Sequence, residues 1–178
     1  ETASGDNNTK NPFFDNLYRD RRDIHHDLNA NLYAIVKLPF GFEYQMNFTP
    51  RYHWYEYMNH ESAEHPEWAG DGGRSERKNE KTFNWQVDNI LRWKKEFGED
   101  HRVEATFLQN AEKGQWWKTV AQNKLYSPSD ILGFHNIGAG TAPSVSSEDT
   151  YKTGDALMGR LFYSFKDKYM PVSYTHLT

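Results

Sequence analysis

The chain has 178 residues, enough for one ordinary domain, and its net charge of -4 argues against a general nucleic-acid binder. Hydrophobic residues make up only 37% and aromatic residues 16%, so a soluble chain of this composition would have difficulty building a dry core. Cysteine is absent, which excludes disulfides and thiolate metal sites, and no apolar run is long enough for a transmembrane helix.

Two runs of alternating apolar and polar residues follow a polar, irregular opening stretch. The first covers about 26–38 and the second about 42–57, and Pro39-Phe40-Gly41 forms a tight turn between them. Alternation with a period of two indicates β-strands. The polar face of this hairpin would suit either bulk solvent or the wet interior of a barrel.

Three more strands and the beginning of another are predicted further along the chain. They cover about 82–97, from about 101 onward, about 154–166, and from Tyr169 onward. Each of the complete runs again alternates between an apolar and a polar face. The predicted fold class is therefore all-β, an antiparallel up-and-down meander of about five to six strands.

The predicted connections alternate in length along the chain. Tight turns are predicted at 39–41, 98–100 and 166–168, and long connections at 58–81 and 113–153. Outer-membrane barrels have short periplasmic turns and long extracellular loops, whereas a soluble sandwich has no reason to sort its connections this way. The pattern predicts a partial segment of a large transmembrane β-barrel.

The two faces of the strands then acquire different surroundings. The apolar face is predicted to meet lipid, through Leu32, Val36, Met46, Phe48, Trp85, Val87, Leu91, Val103, Phe107 and Leu161. The polar face is predicted to form the lumen wall, where charged side chains either pair with neighbours or contact substrate or a plug inside the barrel. Its charged members are Arg51, His53, Asp88, Arg92, Glu104 and Arg160.

Few residues suggest site chemistry. His60 and His65 are five positions apart, which is the wrong spacing for a zinc helix, and we expect a solvated loop there. Trp116 and Trp117 are predicted to lie in a surface loop, where they would contact a ligand or a partner protein, or else anchor at the membrane interface or pack within the loop. A short helix is predicted over Ser127–Leu132. No catalytic residue, metal site or cofactor is predicted, and the chain is not expected to be an enzyme.

Several segments together resemble the SusC/RagA family of TonB-linked outer-membrane proteins. Leu157–Tyr169, with its Gly-Arg-Leu-x-Tyr stretch and short Lys/Asp turn, looks like a strand-turn-strand segment of that family. Asn11–Phe14 leading into Asn29–Tyr33 is similar, as is the order of Asn84–Trp93, a tight turn and His101–Phe107. The resemblance covers about residues 11–170.

The resemblance implies a middle part of a plugged barrel of about 22 strands that imports oligosaccharides or peptides. It implies a SusD-like surface lipoprotein and the TonB complex as partners, with the plug and TonB box lying outside this segment. It also implies the bacterial outer membrane as the location. The alternative from the residues alone is a secreted, soluble β-rich protein that binds or cleaves glycans, in which a second layer would cover the apolar face.

The end of the chain is expected to have a different origin from the rest. Val172–Thr178 matches the translation of a transposase-based library adapter. We therefore assign residues 1–171 to the TonB-dependent receptor barrel and expect 172–178 to be a non-native tail. Val, Tyr and Thr also suit an ordinary strand, which is the other interpretation.

Overall fold

The computed structural model describes residues 12–65, 67–127, 129–166 and 168–177. Within them seven strands form one antiparallel sheet, which confirms the predicted fold class. The helix and strands are α1 Pro12–Tyr18, β1 Arg19–Asn29, β2 Leu32–Lys37, β3 Phe42–Glu61, β4 Arg74–Phe97, β5 His101–Lys124, β6 Ser144–Phe165 and β7 Val172–Leu177. Short 3-10 helices cover Pro39–Gly41, Ala69–Asp71 and Gly133–Ala139.

The strands lie in the order β1-β3-β4-β5-β6-β7, and β2 also pairs with β3. The single strand predicted over 26–38 is wrong, because β1 and β2 are separated at Ala30 and Asn31. The Ala30 amide donates to the carbonyl of Pro50 on β3 at 3.1 Å. Proline has no N–H to return that bond, so the ladder is interrupted opposite it.

Three strands are longer than the sequence predicts. β4 begins at Arg74 instead of about 82, β5 continues to Lys124 instead of ending near 113, and β6 begins at Ser144 instead of about 154. The segments added to β4 and β6 have few apolar residues on either face, and the one added to β5 carries Trp116 and Trp117 at adjacent positions, so none shows the hydrophobic alternation that would mark a strand. The long connections shrink to 62–73 and 125–143 as a result.

The predicted helix over Ser127–Leu132 is also wrong. Ser127 and residues 129–132 are turn or irregular, and the helical turn comes later, as the 3-10 helix Gly133–Ala139. Gly133 begins that helix with a φ of 48°, a left-handed conformation that glycine adopts without strain. The 3-10 helix therefore begins at this glycine, one residue beyond the predicted span.

The last strand pairs with β6 in antiparallel register, with Phe162 opposite Val172 and Leu161 opposite Ser173. Phe165 and Tyr169 form an isolated bridge across the preceding turn. This pairing is the one that an ordinary strand at Val172–Leu177 would make. The non-native origin of residues 172–178 stays a prediction.

Two compact units divide the chain. The unit that we call the loop unit takes residues up to His26, Trp54–Lys81 and Trp117–Glu148. The other, the turn unit, takes Asp27–His53 and Thr82–Trp116, together with the chain from Asp149 onward. Both long connections belong to the loop unit, and the three short turns belong to the turn unit. The predicted sorting of connections by length is therefore present in the fold.

Burial is concentrated in the loop unit. Among the described residues the buried apolar side chains are Met58 and Phe134, both in that unit. In the turn unit no described residue covers the apolar face of the sheet. Leu32, Phe107 and Leu161 on that face are 59%, 48% and 52% exposed. Among the described residues of the turn unit, none forms a dry core against this face of the sheet.

Candidate functional site: the polar face of the turn unit

The polar face of the turn unit carries the residues predicted to contact a ligand. Because side chains alternate along a strand, Arg51 and His53 on β3 share one face with Glu43 and Gln45. Arg92 on β4 donates to the Glu43 carboxylate at 3.0 Å and to the Gln45 side-chain oxygen at 2.8 Å. The polar faces of these two strands are therefore one surface.

The same surface continues onto β5 and β6. Asn110 on β5 donates to the Asp88 carboxylate on β4 at 2.6 Å, and Lys94 lies 3.6 Å from the Glu104 carboxylate. Arg102 lies over the ring of Phe162, the second neighbour of Arg160 along β6. All six charged residues predicted for the lumen wall thus lie on one face, which explains why alternation alone could group them. Their contact with a ligand stays a prediction.

The ten residues predicted to face lipid also share a face. Leu32 and Val36 lie opposite Phe48 and Tyr44 in the pairing of β2 with β3, and the remaining members occupy the alternate positions that face the same way. Their exposure to lipid stays a prediction, since the fold shows the face and not its surroundings.

A polar ladder that the sequence did not predict crosses this apolar face. The Tyr44 hydroxyl donates to Asn89 at 2.6 Å, the Asn89 amide to Gln109 at 2.7 Å, and the Gln109 amide to the Asp155 carboxylate at 3.0 Å. Each amide interior to the ladder is satisfied by its neighbours. Polar groups that contact hydrocarbon need such partners, because no water is present to replace them. In the sequence, Asn89 interrupts the apolar alternation of β4, and this interruption is the feature from which the ladder could have been predicted.

A serine, a histidine and an aspartate meet in the loop unit. His60 lies 2.9 Å from the Ser75 hydroxyl through Nδ1 and 3.6 Å from the Asp130 carboxylate through Nε2. The arrangement resembles a hydrolytic triad, but Ser75 is fully buried at 0% exposure, so no substrate reaches its hydroxyl. Asp130 instead accepts the Ala63 amide at 2.7 Å. The cluster fastens the connection 125–143 to strands β3 and β4.

His65 belongs to a second buried cluster, so the expectation of a solvated loop around His60 and His65 is wrong. His65 is 4% exposed, stacks on Trp68 at 3.9 Å and lies 3.3 Å from Asp15. Its Nδ1 accepts the Glu67 amide at 3.1 Å. Among the described residues no group of three or more His, Cys, Asp or Glu side chains is placed to hold a metal ion.

Two tyrosines on β3 form a cationic-aromatic patch in the loop unit. Lys78 lies 4.9 Å above the Tyr55 ring and 5.5 Å above the Tyr57 ring, and Arg21 lies 5.3 Å above Tyr57. Burial and a 2.7 Å hydrogen bond to the Asp23 carboxylate raise the pKa of Tyr55 to about 12. The same bond, followed by that from Arg21, lowers the pKa of Asp23.

The tryptophan pair is not in a loop, and that prediction is wrong. Trp116 and Trp117 lie inside β5, and both are half-buried. As neighbours in a strand they point to opposite faces, so they cannot act as one stacking platform. Trp116 belongs to the turn unit and Trp117 to the loop unit.

Within the described residues, no helix has the length and apolarity that crossing a membrane would require.

Comparison with known proteins shows one curated relative and several similar structures, whereas no family model matches. The relative is TonB-dependent receptor P26 of Formosa agariphila, 26% identical over 106 residues, which is 58% of this chain and 10% of the receptor. The RagAB peptide transporter structure matches with a TM-score of 0.78 at 14% identity, over 93% of this chain and 18% of its own.

Two further structures agree with that likeness. The RagAB peptide importer in its open-open state has a TM-score of 0.75 at 14% identity, over 93% of this chain and 19% of its own. In its closed-closed state the score is 0.70 at 13% identity, over 90% of this chain and 18% of its own. The chain thus has the fold of part of these structures and spans about a tenth of the curated relative.

Proposed function

We infer that this chain is a fragment of a SusC/RagA-type TonB-dependent transporter, an inference that the curated relative and the RagAB structures support. We propose further that the whole protein imports nutrients across the bacterial outer membrane. The observation that carries the proposal is the uncovered sheet, which has one apolar and one polar face and long and short connections sorted between two units. A barrel wall needs these features together.

In this proposal the two faces of the sheet contact different surroundings. The apolar face, with Val87, Phe107 and Leu161, contacts lipid and needs no second protein layer. The polar face, with Arg51, Arg92 and Arg160, lines the lumen, where water and ligands pass and where charged side chains remain hydrated. The chain's own contribution is a shaped, charged wall rather than a reaction.

The proposed partners follow the family resemblance. A SusD-like lipoprotein would capture an oligosaccharide or a peptide at the cell surface, and the TonB complex would supply energy through parts outside this segment. RagAB is named as a peptide transporter and importer, which supports a peptide as one of these two substrate classes. No enzymatic step is proposed, because the one triad-like serine found in the described residues, Ser75, is buried.

The rival proposal is a secreted, soluble protein that binds or cleaves glycans. It requires a second layer over the apolar face. Leu32, Met46, Phe107 and Leu161 are each more than a third exposed, and no described residue forms such a layer. The structure therefore favours the transporter.

The test uses the complete gene that contains this segment. The full-length protein should fractionate with the outer membrane, and its electrophoretic mobility should change on boiling, because folded barrels resist detergent until heated. A plug-coding stretch upstream and a neighbouring SusD-like reading frame should also be present. A soluble, secreted full-length protein with no plug-coding stretch would refute the proposal and favour the rival.

A further inference from the structure

We propose that a cavity in the polar face of the turn unit binds a carboxylate group of the transported ligand. The inference rests on the proposed function, since it takes this face to be the wall along which ligands pass. The cavity, which we call the basic pocket, has a volume of about 280 Å³. Its lining includes Thr49, Arg51, Asn84, Gln86, Glu112 and Lys152.

The charges in the basic pocket are not balanced. Arg51 and Lys152 line it against a single acidic residue, Glu112, whereas Lys113 is the neighbour of Glu112 in β5 and directs its side chain to the other face. Among the residues that the structure describes, neither Arg51 nor Lys152 makes an ion pair. An acidic group that enters the pocket could therefore pair with these cations without breaking an existing ion pair.

Three other cations on the same face, Arg92, Lys94 and Arg102, are each paired with a carboxylate. Arg92 lies 3.0 Å from the Glu43 carboxylate, and Lys94 lies 3.6 Å from that of Glu104. Arg102 reaches the same Glu104 carboxylate at 3.4 Å. These paired cations help to hold neighbouring strands together, whereas Arg51 and Lys152 remain available for a ligand.

Two glycines keep the pocket open. A Cβ on Gly114 would lie 2.7 Å from the side-chain oxygen of Asn84, and a Cβ on Gly154 would lie 2.8 Å from Oε1 of Glu112. These side chains can lie against the sheet only because both positions lack a Cβ. The remaining volume falls just below the usual range of about 300–1,000 Å³ for whole ligands, so it suits one residue or one sugar ring of a longer ligand.

The donors match a carboxylate in particular. The guanidinium of Arg51 can hold both oxygens of a carboxylate through two parallel N–H groups, and Lys152 adds a compact positive charge. Asn84, Gln86 and Thr49 supply further hydrogen-bonding groups, and Glu112 can accept from a hydroxyl or an amide. Aspartyl or glutamyl residues of a peptide and uronic-acid units of an oligosaccharide share this chemistry.

The experiment measures calorimetric binding to the purified full-length transporter. Triglutamate and trigalacturonate are the acidic probes, and triglutamine is the neutral control. At least one acidic probe should bind on the order of tenfold more tightly than triglutamine, as one charge-assisted hydrogen-bonded pair would give. A preference between the acidic probes identifies a peptide or a glycan as the source of the carboxylate, and equal binding means that the carboxylate alone is recognised.

Variants locate the effect. Arg51→Gln should weaken acidic binding on the order of tenfold, Arg51→Lys should retain part of it, and Lys152→Gln should weaken it independently. Lys94→Gln removes the same charge from the same face outside the pocket, and it should leave binding unchanged, since Glu104 keeps Arg102 as a partner. The heat-dependent mobility of each variant checks that it is folded.

Two results would overturn the inference: equal binding of acidic and neutral probes, or a loss in Lys94→Gln as large as that in Arg51→Gln. If the protein resides in the outer membrane, either result refutes ligand binding by the basic pocket and leaves the transport proposal in place. Absence from the outer membrane removes the transport proposal, whereas the comparison of probes and variants still decides the pocket.

Discussion

Asn123 is the side chain whose loss should most clearly release the connection 125–143. It is 2% exposed, and its amide nitrogen donates to the carbonyls of Ile137 at 2.8 Å and Gly140 at 2.9 Å. Its oxygen accepts the amides of Lys124 and Ala142, each at 2.9 Å. One side chain thus satisfies four backbone groups, and Asn123→Ala leaves all four without that partner.

The expected magnitude follows from these four bonds. At about 1 kcal/mol net for each hydrogen bond, the upper estimate is about 4 kcal/mol. Some of the loss is offset, because the Ala142 amide also donates to the Lys124 carbonyl at 3.3 Å, and because freed groups near the surface reach water. We therefore expect about 2–3 kcal/mol of local destabilisation, or a roughly 30- to 150-fold increase in local opening.

Hydrogen exchange of the full-length protein measures that opening directly. Peptides covering 125–143 should exchange faster in Asn123→Ala, whereas peptides from β2 and from the β6 segment within the turn unit should not change. Asn136→Ala is the matched control, because Asn136 is an exposed residue of the same connection. Unchanged protection in Asn123→Ala, or an equal effect in Asn136→Ala, would refute the role of this residue as the fastener.

Three further predictions concern pH, backbone conformation and the apolar face. Because the pKa of Tyr55 is raised from 10.0 to about 12, its contribution to stability should be complete below pH 10 and lost between pH 10 and about 12; Asp23→Asn should lower this pKa, as read from phenolate absorbance relative to Tyr55→Phe, and an unchanged titration would contradict the hydrogen bond's role. Gly133→Ala should destabilise the connection 125–143 by about 1–2 kcal/mol or more, since its φ is 48° and a Cβ would lie 2.7 Å from Cγ of His60; equal proteolysis rates in variant and parent would argue against it. Leu161→Arg should cost about 2–4 kcal/mol of unfolding free energy in bilayers if the site is near the midplane, and no cost in a denaturant titration would mean that this face meets water.

The sequence predicted the parts of the fold where one face is apolar and the other polar. Alternation located β2, β3 up to about Tyr57 and the β4 segment from Thr82, and short turn sequences located the reversals. It failed for Arg74–Lys81 and Ser144–Thr153, which are strand segments with few apolar residues on either face. A strand of that kind is held by its backbone ladder, and the sequence pattern alone does not distinguish it from a loop.

The candidate site was predictable only as a face. Alternation placed Arg51, Arg92 and Arg160 together, because period two fixes the side on which a strand residue lies. It did not find Lys152 or Gly114, because the basic pocket joins residues from strands that are distant in sequence. Such groupings depend on which strands are neighbours and in what register, and alternation within each strand does not specify either.

The central claim is that one face of the turn unit meets lipid and the other meets water. This segment contains no cysteine, so, with any cysteines elsewhere in the full-length protein replaced by serine, a single spin label can be placed at Val87→Cys or at its neighbour Asp88→Cys on β4. We predict that, in outer-membrane vesicles, oxygen dissolved in the bilayer relaxes the label at position 87 more strongly than a water-soluble nickel complex does, and that the order reverses at position 88. Strong relaxation by the nickel complex at both positions, or the opposite assignment of the two faces, would contradict the claim.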